Sequence, residues 1–245
     1  MLIRQTTADD FECVYQEHHA LLSGVLAAAW VPTRLDPRWI QAAGLHDTPW
    51  RRADEAPIFN EETGLLHDFL TYPEQEKLKF YREGIDELEN IDPFTAYVVS
   101  RRYASFARSA DGNWFQEHEK GRQQRLVSML GEVEQEELDE ALAWVNFFDT
   151  FSIYLCLAGP KADQETTPRW LVPPSWSTAP DATELEFEWL DDETLKLTPW
   201  PFGSSQVSTR IHFRHLAERV ARADEMQRRW ADAPRGMRDL LLVPR

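Results

Sequence analysis

Cysteine is scarce in this chain: 245 residues include only Cys13 and Cys156, both in apolar segments and without metal-type spacing. That excludes a disulfide framework and leaves the two thiols as small core residues. Positive charge is scarce too. Lys and Arg number 26 against 42 Asp and Glu, a formal net charge of -16, and such a surface repels phosphate backbones and anionic lipid, which argues against nucleic acid and membranes as partners. No stretch approaches about 18 consecutive apolar residues, and the opening MLIRQTTADD lacks the layout of a signal peptide, so neither a span nor an export signal is expected and the cytoplasm is the default location. Glycine is rare beside proline, 10 against 15, which favours ordered loops and capped helices. No internal repeat or low-complexity tract occurs. There is no GxGxxG after a strand, no GxxxxGK[ST] and no GxSxG, so dinucleotide, P-loop and serine-hydrolase chemistries fall away.

What is present is apolar material: 42% of the residues are hydrophobic and ten are Trp, enough for one sizeable core. LIRQ and FECVY flank the polar turn TADD as a short hairpin. From about Glu17, Leu21, Leu22, Val25, Leu26 and Ala29 fall on one broad helical face. Asp36-Pro37 and Asp92-Pro93 each place a capping carboxylate before a proline suited to the first helical position. Pro73 opens a more exposed helix, Asn113 is an expected cap for another, and the run from Gln135 turns apolar almost all round after Ala141, as a central helix does. Residues 160–182 read as a Pro-, Ser- and Thr-rich connection. ELEFEWL and TLKLTPW then alternate as a hairpin, residues 207–232 are ambiguous because VSTRIHF alternates like a strand while Leu216, Val220, Ala223 and Trp230 fit a helix, and DLLLVP reads as a last strand. These elements predict a mainly α chain: a helical body with the N-terminal hairpin over residues 1–159, and a Pro-rich connection with a small antiparallel β layer over residues 160–245, packed as one unit.

Asp149 is the most informative single residue. It lies among Trp144, Phe147, Phe148 and Phe151, where an unpaired carboxylate would cost several kcal/mol, so an arginine, a histidine or a metal ion is expected beside it. His18, His19, His46 and Asp47 lie at the ends of apolar helices and can point inward. Two imidazoles with two carboxylates make a mixed nitrogen and oxygen set suited to one divalent transition metal ion. Arg101 or Arg102 can either pair with a buried carboxylate or face a pocket as an anion clamp, and Trp50, just behind His46-Asp47, can wall such a pocket. His67-Asp68 reads as a turn or pocket rim, and His212 and His215 as surface residues.

The order His, then His-Asp, then a distant Asp in an apolar helix resembles the HD-domain superfamily of metal-dependent phosphohydrolases, with IQAAGLHD and FFDTFSIYL carrying the likeness. QEHHALLSGVLAAAW, LHDTPW with Ala56-Pro57, TGLLHDF, VVSRRYASF, FFDTFSIYLCL and the later PWPF are similar to an uncharacterised bacterial family, the domain of unknown function 3891. The HD resemblance implies an HD-like helical bundle in which His19, His46, Asp47 and Asp149 hold one metal. His19 is preferred to His18 because the family stretch resembles Q-x-x-H-A. The corresponding expectation is a hydrolase in which Asp47 and Arg102 are catalytic groups and His18, Trp50, Arg101 and Arg102 contact a small phosphorylated or acyl substrate that a metal-activated water hydrolyses. The chain departs from the pattern where Thr48-Pro49-Trp50 follows the pair and where Arg102 stands in place of a histidine. His67 and His118 are not placed for a second metal. A non-catalytic ligand-binding or regulatory module on the same scaffold is the competing expectation.

Overall fold

The period-two segments from the two ends of the chain meet in one sheet. In a computed structural model that describes residues 1–107, 109, 112–159 and 168–244, β1 (Leu2–Gln5) and β2 (Asp10–Val14) form the expected hairpin, with Leu2 opposite Val14. β2 then pairs with β7 (Val207–Ala217), and β7 with β8 (Arg235–Val243). β5 (Glu186–Trp189) and β6 (Thr194–Thr198) form the expected second hairpin, and β6 runs parallel to β8. The resulting order is β1-β2-β7-β8-β6-β5, a curled, mixed six-stranded half-barrel.

This overturns the expectation of a mainly α, HD-like bundle with a small antiparallel layer: the fold is α/β. The physical reason lies in β7 and β8. The alternation of VSTRIHF extends over 11 residues, and β8 begins at Arg235, well before the apolar DLLLVP, because its early residues alternate exposure with no run of hydrophobes to announce them. Only the later part of the ambiguous 207–232 stretch is helical, as α8 (Ala223–Asp232). A two-residue pair, β3 (Phe59–Asn60) with β4 (Leu65–Leu66), was not expected.

The other helices follow the sequence signals. α1 (Gln16–Ala29), α2 (Pro37–Leu45), α4 (Glu74–Glu89), α5 (Pro93–Phe106), α6 (Asn113–Leu130) and α7 (Gln135–Leu157) all appear, with a short α3 (Arg51–Glu55). The Asp36 carboxylate accepts from the Arg38 amide at 2.8 Å, and that of Asp92 from the Thr95 amide at 2.7 Å, satisfying amides that an α-helix leaves open at its start. Asn113 is the first helical residue of α6 rather than its cap. Within the proposed 160–182 connection, residues 160–167 lie outside the described residues. No described helix is long and apolar enough to cross a membrane.

Alternation in the N-terminal hairpin supplies two cores. Leu2 and Val14 join Leu195, Leu197, Leu240 and Leu242 in packing against the helices, while Phe11, Cys13 and Leu216 turn to α8 and its Trp230. α7 lies on the helical side, with Phe151 and Tyr154 against Trp176 and Phe187. β8 also secures the end of α7. Arg238 donates to the carbonyls of Leu155 and Cys156 at 3.3 and 3.0 Å, the last turn where a helix has unsatisfied acceptors. On the far side of the helices, α4 packs against the 3-10 turn Thr48–Trp50 so closely that a Cβ on Gly84 would lie 2.4 Å from the Cα of Pro49. Helix propensity alone would make Gly84→Ala stabilising by about 1 kcal/mol. The clash with backbone should reverse the sign, and we expect denaturant melts to show a loss of roughly 1–3 kcal/mol.

Candidate metal centre

Where α2 stops, the chain tightens. His46 is the last residue with helical backbone, Asp47 adopts φ -109° and ψ 16°, and Pro49 sits in the 3-10 turn that follows. This sharp change lets neighbouring residues project into one buried space. α1 contributes His19, and α7 contributes Asn146, Asp149 and Ser152, spaced by three so that they share a face. α5 adds Arg102 and Tyr103.

One nitrogen or oxygen from each of His19, His46, Asp47 and Asp149 lies within 4.8 Å of all the others. The Nε2 of His46 is 2.8 Å from Asp149 Oδ1 and 3.7 Å from Asp47 Oδ1, and the Nε2 of His19 is 2.9 Å from Asp47 Oδ2. The outer atoms are held as well. His46 Nδ1 donates to the Ala43 carbonyl at 2.7 Å, His19 Nδ1 lies 2.9 Å from Ser152 Oγ, and the Tyr103 hydroxyl donates to Asp47 Oδ1 at 2.7 Å. Ser23 donates to Ser152 at 2.8 Å, linking α1 to α7 behind the histidine. Asp149 Oδ2 accepts from Arg102 Nη2 at 2.6 Å, and the other terminal nitrogen of Arg102 bonds Asn146.

His46 carries the main chemical constraint. The Ala43 carbonyl can only accept, so the proton of a neutral ring is on Nδ1 and the Nε2 lone pair faces a carboxylate oxygen at hydrogen-bond distance. Two acceptors at 2.8 Å require a positive charge between them, either a proton on Nε2 or a metal ion. His19 is less constrained, because the Ser152 hydroxyl can give or take a proton. Metal bonds of about 2.0–2.2 Å set neighbouring ligand atoms roughly 3.0–3.4 Å apart, so the 2.8 and 2.9 Å contacts would open slightly and the wider spacings, up to 4.8 Å, would close around an ion. The donor types, the burial and the outer-atom bonds fit a metal as well, and the cluster can hold one.

Without metal, charge is balanced within the cluster. Burial opposes ionisation of Asp149, but Arg102 and then His46 outweigh it and hold the carboxyl below its ordinary range. Asp47 is likewise opposed by burial and held low by His46, His19 and Arg102. For His46 burial disfavours the charged ring, yet Asp47 and Asp149 raise its pKa above the ordinary value.

A cavity of about 690 Å³ opens onto Asp47, Arg102 and Asp149 and is walled by Trp50, Phe69, Tyr72, Tyr81, Phe106 and Trp170. Trp50, expected at a substrate pocket, is therefore on its wall. Arg101 is not: it pairs with Asp139 and lies over the Tyr97 ring. His18 stacks on Tyr15, meets His212 edge to face at 5.8 Å, and with it lines a separate cavity of about 690 Å³. Asp68 caps a turn through the amides of Leu70 and Thr71, while His67 lies beside Tyr72, outside the four-residue cluster. His215 pairs with Asp10, and His118 with Glu119. Sequence reasoning missed Tyr103, Asn146 and Ser152. Their signal was nonetheless readable, because Asn146 and Ser152 flank Asp149 by three residues on an otherwise apolar helix.

Two outcomes follow for chelated protein. Arg102→Met strands a buried carboxylate and should cost about 3–5 kcal/mol in urea melts. The carboxylates' contribution is present above their unfolded pKa of about 4 and is lost as pH falls, whereas that of His46 is present below about 6.5 and is lost as pH rises through its raised folded value. The stability difference between wild type and His46→Gln should therefore be largest near pH 5–6 and shrink as pH rises through the raised folded value of His46; a difference that grows with pH would refute this charge arrangement.

No curated protein and no solved structure matches the chain. A family profile does, that of the proteins of unknown function designated DUF3891, over residues 1–218. The sequence similarity to that family thus extends through β7, taking in the whole buried cluster and the cavity beside it, and the chain belongs to the DUF3891 family.

Proposed function

We propose that this protein is a metal-dependent hydrolase of a small phosphorylated or acyl substrate, with His19, His46, Asp47 and Asp149 holding one divalent transition metal ion. The observation that carries the reading is the Nε2 of His46, turned toward Asp149 Oδ1 at 2.8 Å with its other nitrogen committed to a backbone carbonyl. A divalent ion in such a site supplies Lewis acidity and makes a bound water acidic enough to ionise near neutral pH. Tyr103 keeps Asp47 turned inward, and the Ser23-Ser152 pair fixes the ring of His19. Arg102 borders the cavity, where its guanidinium charge would offset negative charge on an anionic substrate. The same residue argues for one ion rather than two, since its guanidinium occupies Asp149 Oδ2, an oxygen that a bridged second ion would need.

The order of the four residues along the chain, on which the HD-domain resemblance rests, supports this reading. The scaffold is a sheet-and-helix fold, so the likeness is confined to the motif. The Arg102–Asp149 ion pair at 2.6 Å favours a second reading, a non-catalytic ligand-binding module in which that pair replaces a metal.

Metal analysis of untagged wild type and Asp149→Ala separates the two. The hydrolase reading expects near-stoichiometric transition metal in the wild type, its loss in the variant, and turnover in a screen of phosphoesters and esters run with that metal. Absence of metal from both after reconstitution, with Asp149→Asn merely less stable, would instead select the binding module.

A further inference from the structure

The wall of the cavity is more specific than a generic hydrolase pocket. Among its lining residues Leu70, Phe106 and Trp170 are 53%, 49% and 42% exposed. Three large, partly exposed apolar side chains around one opening offer an apolar rim to a ligand's body. Deeper in, Trp50 meets Tyr72 and Tyr81 edge to face at 5.6 and 5.8 Å, and Tyr81 stacks on Tyr103 at 3.9 Å. Tyr103 in turn touches Asp47, so an aromatic wall leads to the metal centre.

Lys77 lines the same cavity, half-buried. Its Nζ donates to the Phe69 carbonyl at 2.7 Å, which leaves two N–H donors, and it forms no ion pair among the described residues. Its neighbours on α4 behave differently. Lys79 pairs with Glu76 at 2.9 Å, whereas Lys77 forms no such pair with Glu74, at the same spacing and on the same cavity wall. Burial lowers the pKa of Lys77, but Asp68 and Glu74 oppose the loss of its proton; these charges, rather than the carboxylates of the centre, act on it. An ammonium kept half-dry, with two N–H donors free of any direct ion pair among the described residues, is a site for an acid brought by a ligand.

We infer, building on the hydrolase reading, that the substrate has a flat aromatic body and, away from its reacting group, an acidic group. The body lies between the aromatic walls with the reacting group at the metal centre, and the remote acid pairs with Lys77. Lys77 thereby becomes a specificity-determining residue with no part in holding the metal.

Metal-loaded protein titrated with methylphosphonate, phenylphosphonate and 4-phosphonobenzoate tests this, followed by calorimetry and by the fluorescence of the tryptophans on the wall. Phenylphosphonate should bind at least about tenfold tighter than methylphosphonate, and 4-phosphonobenzoate about fivefold tighter again. Lys77→Met should erase only the second increment, with thermal stability and metal content unchanged, and Lys77→Arg should retain it. Equal binding of the methyl and phenyl compounds, or a carboxylate increment that survives in Lys77→Met, would overturn the inference and leave the hydrolase reading standing. Failure of all three phosphonates to bind, together with absent metal, would sink both.

Discussion

A carboxylate buried in the middle of an apolar helix is the constraint around which this molecule is arranged. Asp149 is 4% exposed on a helix that also buries Trp144, Phe147, Phe148 and Phe151. Leaving it unpaired would cost several kcal/mol, comparable to a large part of a domain's net stability. The offset comes from two other segments, Arg102 on α5 and His46 at the end of α2, each committed to one oxygen of the same carboxylate. Three helices distant in sequence must therefore converge to within hydrogen-bond reach, and Asp47 and Tyr103 follow because each adjoins one of the partners. Such a cluster is a poor way to gain stability, since a well-packed apolar set would serve as well.

Convergence of helices also requires that α7 be held along its length, and this is the contribution of the sheet. Arg238 of β8 takes the carbonyls at the helix end, while Phe187 on β5 packs against Phe151 and Tyr154. β2 brings the first residues of the chain to β7, and α1 starts only two residues after β2 ends, which links the position of His19 to the sheet. The centre is thus braced from two sides, by helix packing and by strands from both ends of the chain.

The sequence made the four metal-ligating candidates legible because burial of polar residues leaves a local trace: Asp149 stands out against its aromatic neighbours, and His46-Asp47 against the apolar helix before it. The capping pairs Asp36-Pro37 and Asp92-Pro93 were legible for the same reason, being short-range chemistry. The architecture was not. Strand pairing is long-range, and β8 looks unremarkable until Arg235 through Asp239 are seen opposite β7, where Arg210 meets Asp239 and Phe213 meets Gly236. The Arg102 alternatives were beyond sequence too, because whether a guanidinium faces a carboxylate or a cavity is settled by helix rotation. Arg102 and Arg101 differ by one helical step, yet the first reaches Asp149 and the second turns outward to Asp139.

The centre and its cavity draw on different parts of the chain. All four candidate ligands and their supports come from α1, α2, α5 and α7 or from the tight turn after α2, segments packed within the main core. Much of the outer wall comes from α4, from residues 69–72 and from Trp170, which are more exposed and include only short regular elements apart from α4. Packing penalties are steep in the first group, where a lost methylene or an unpaired charge is felt across several helices. They are shallow at exposed wall positions such as Leu70 and Trp170, where side chains can change with little effect on the fold, but not at Tyr72, Leu78 and Tyr81, which belong to the main core. A scaffold divided in this way tolerates change at less buried wall positions such as Lys77 and Trp170 more readily than at the buried four.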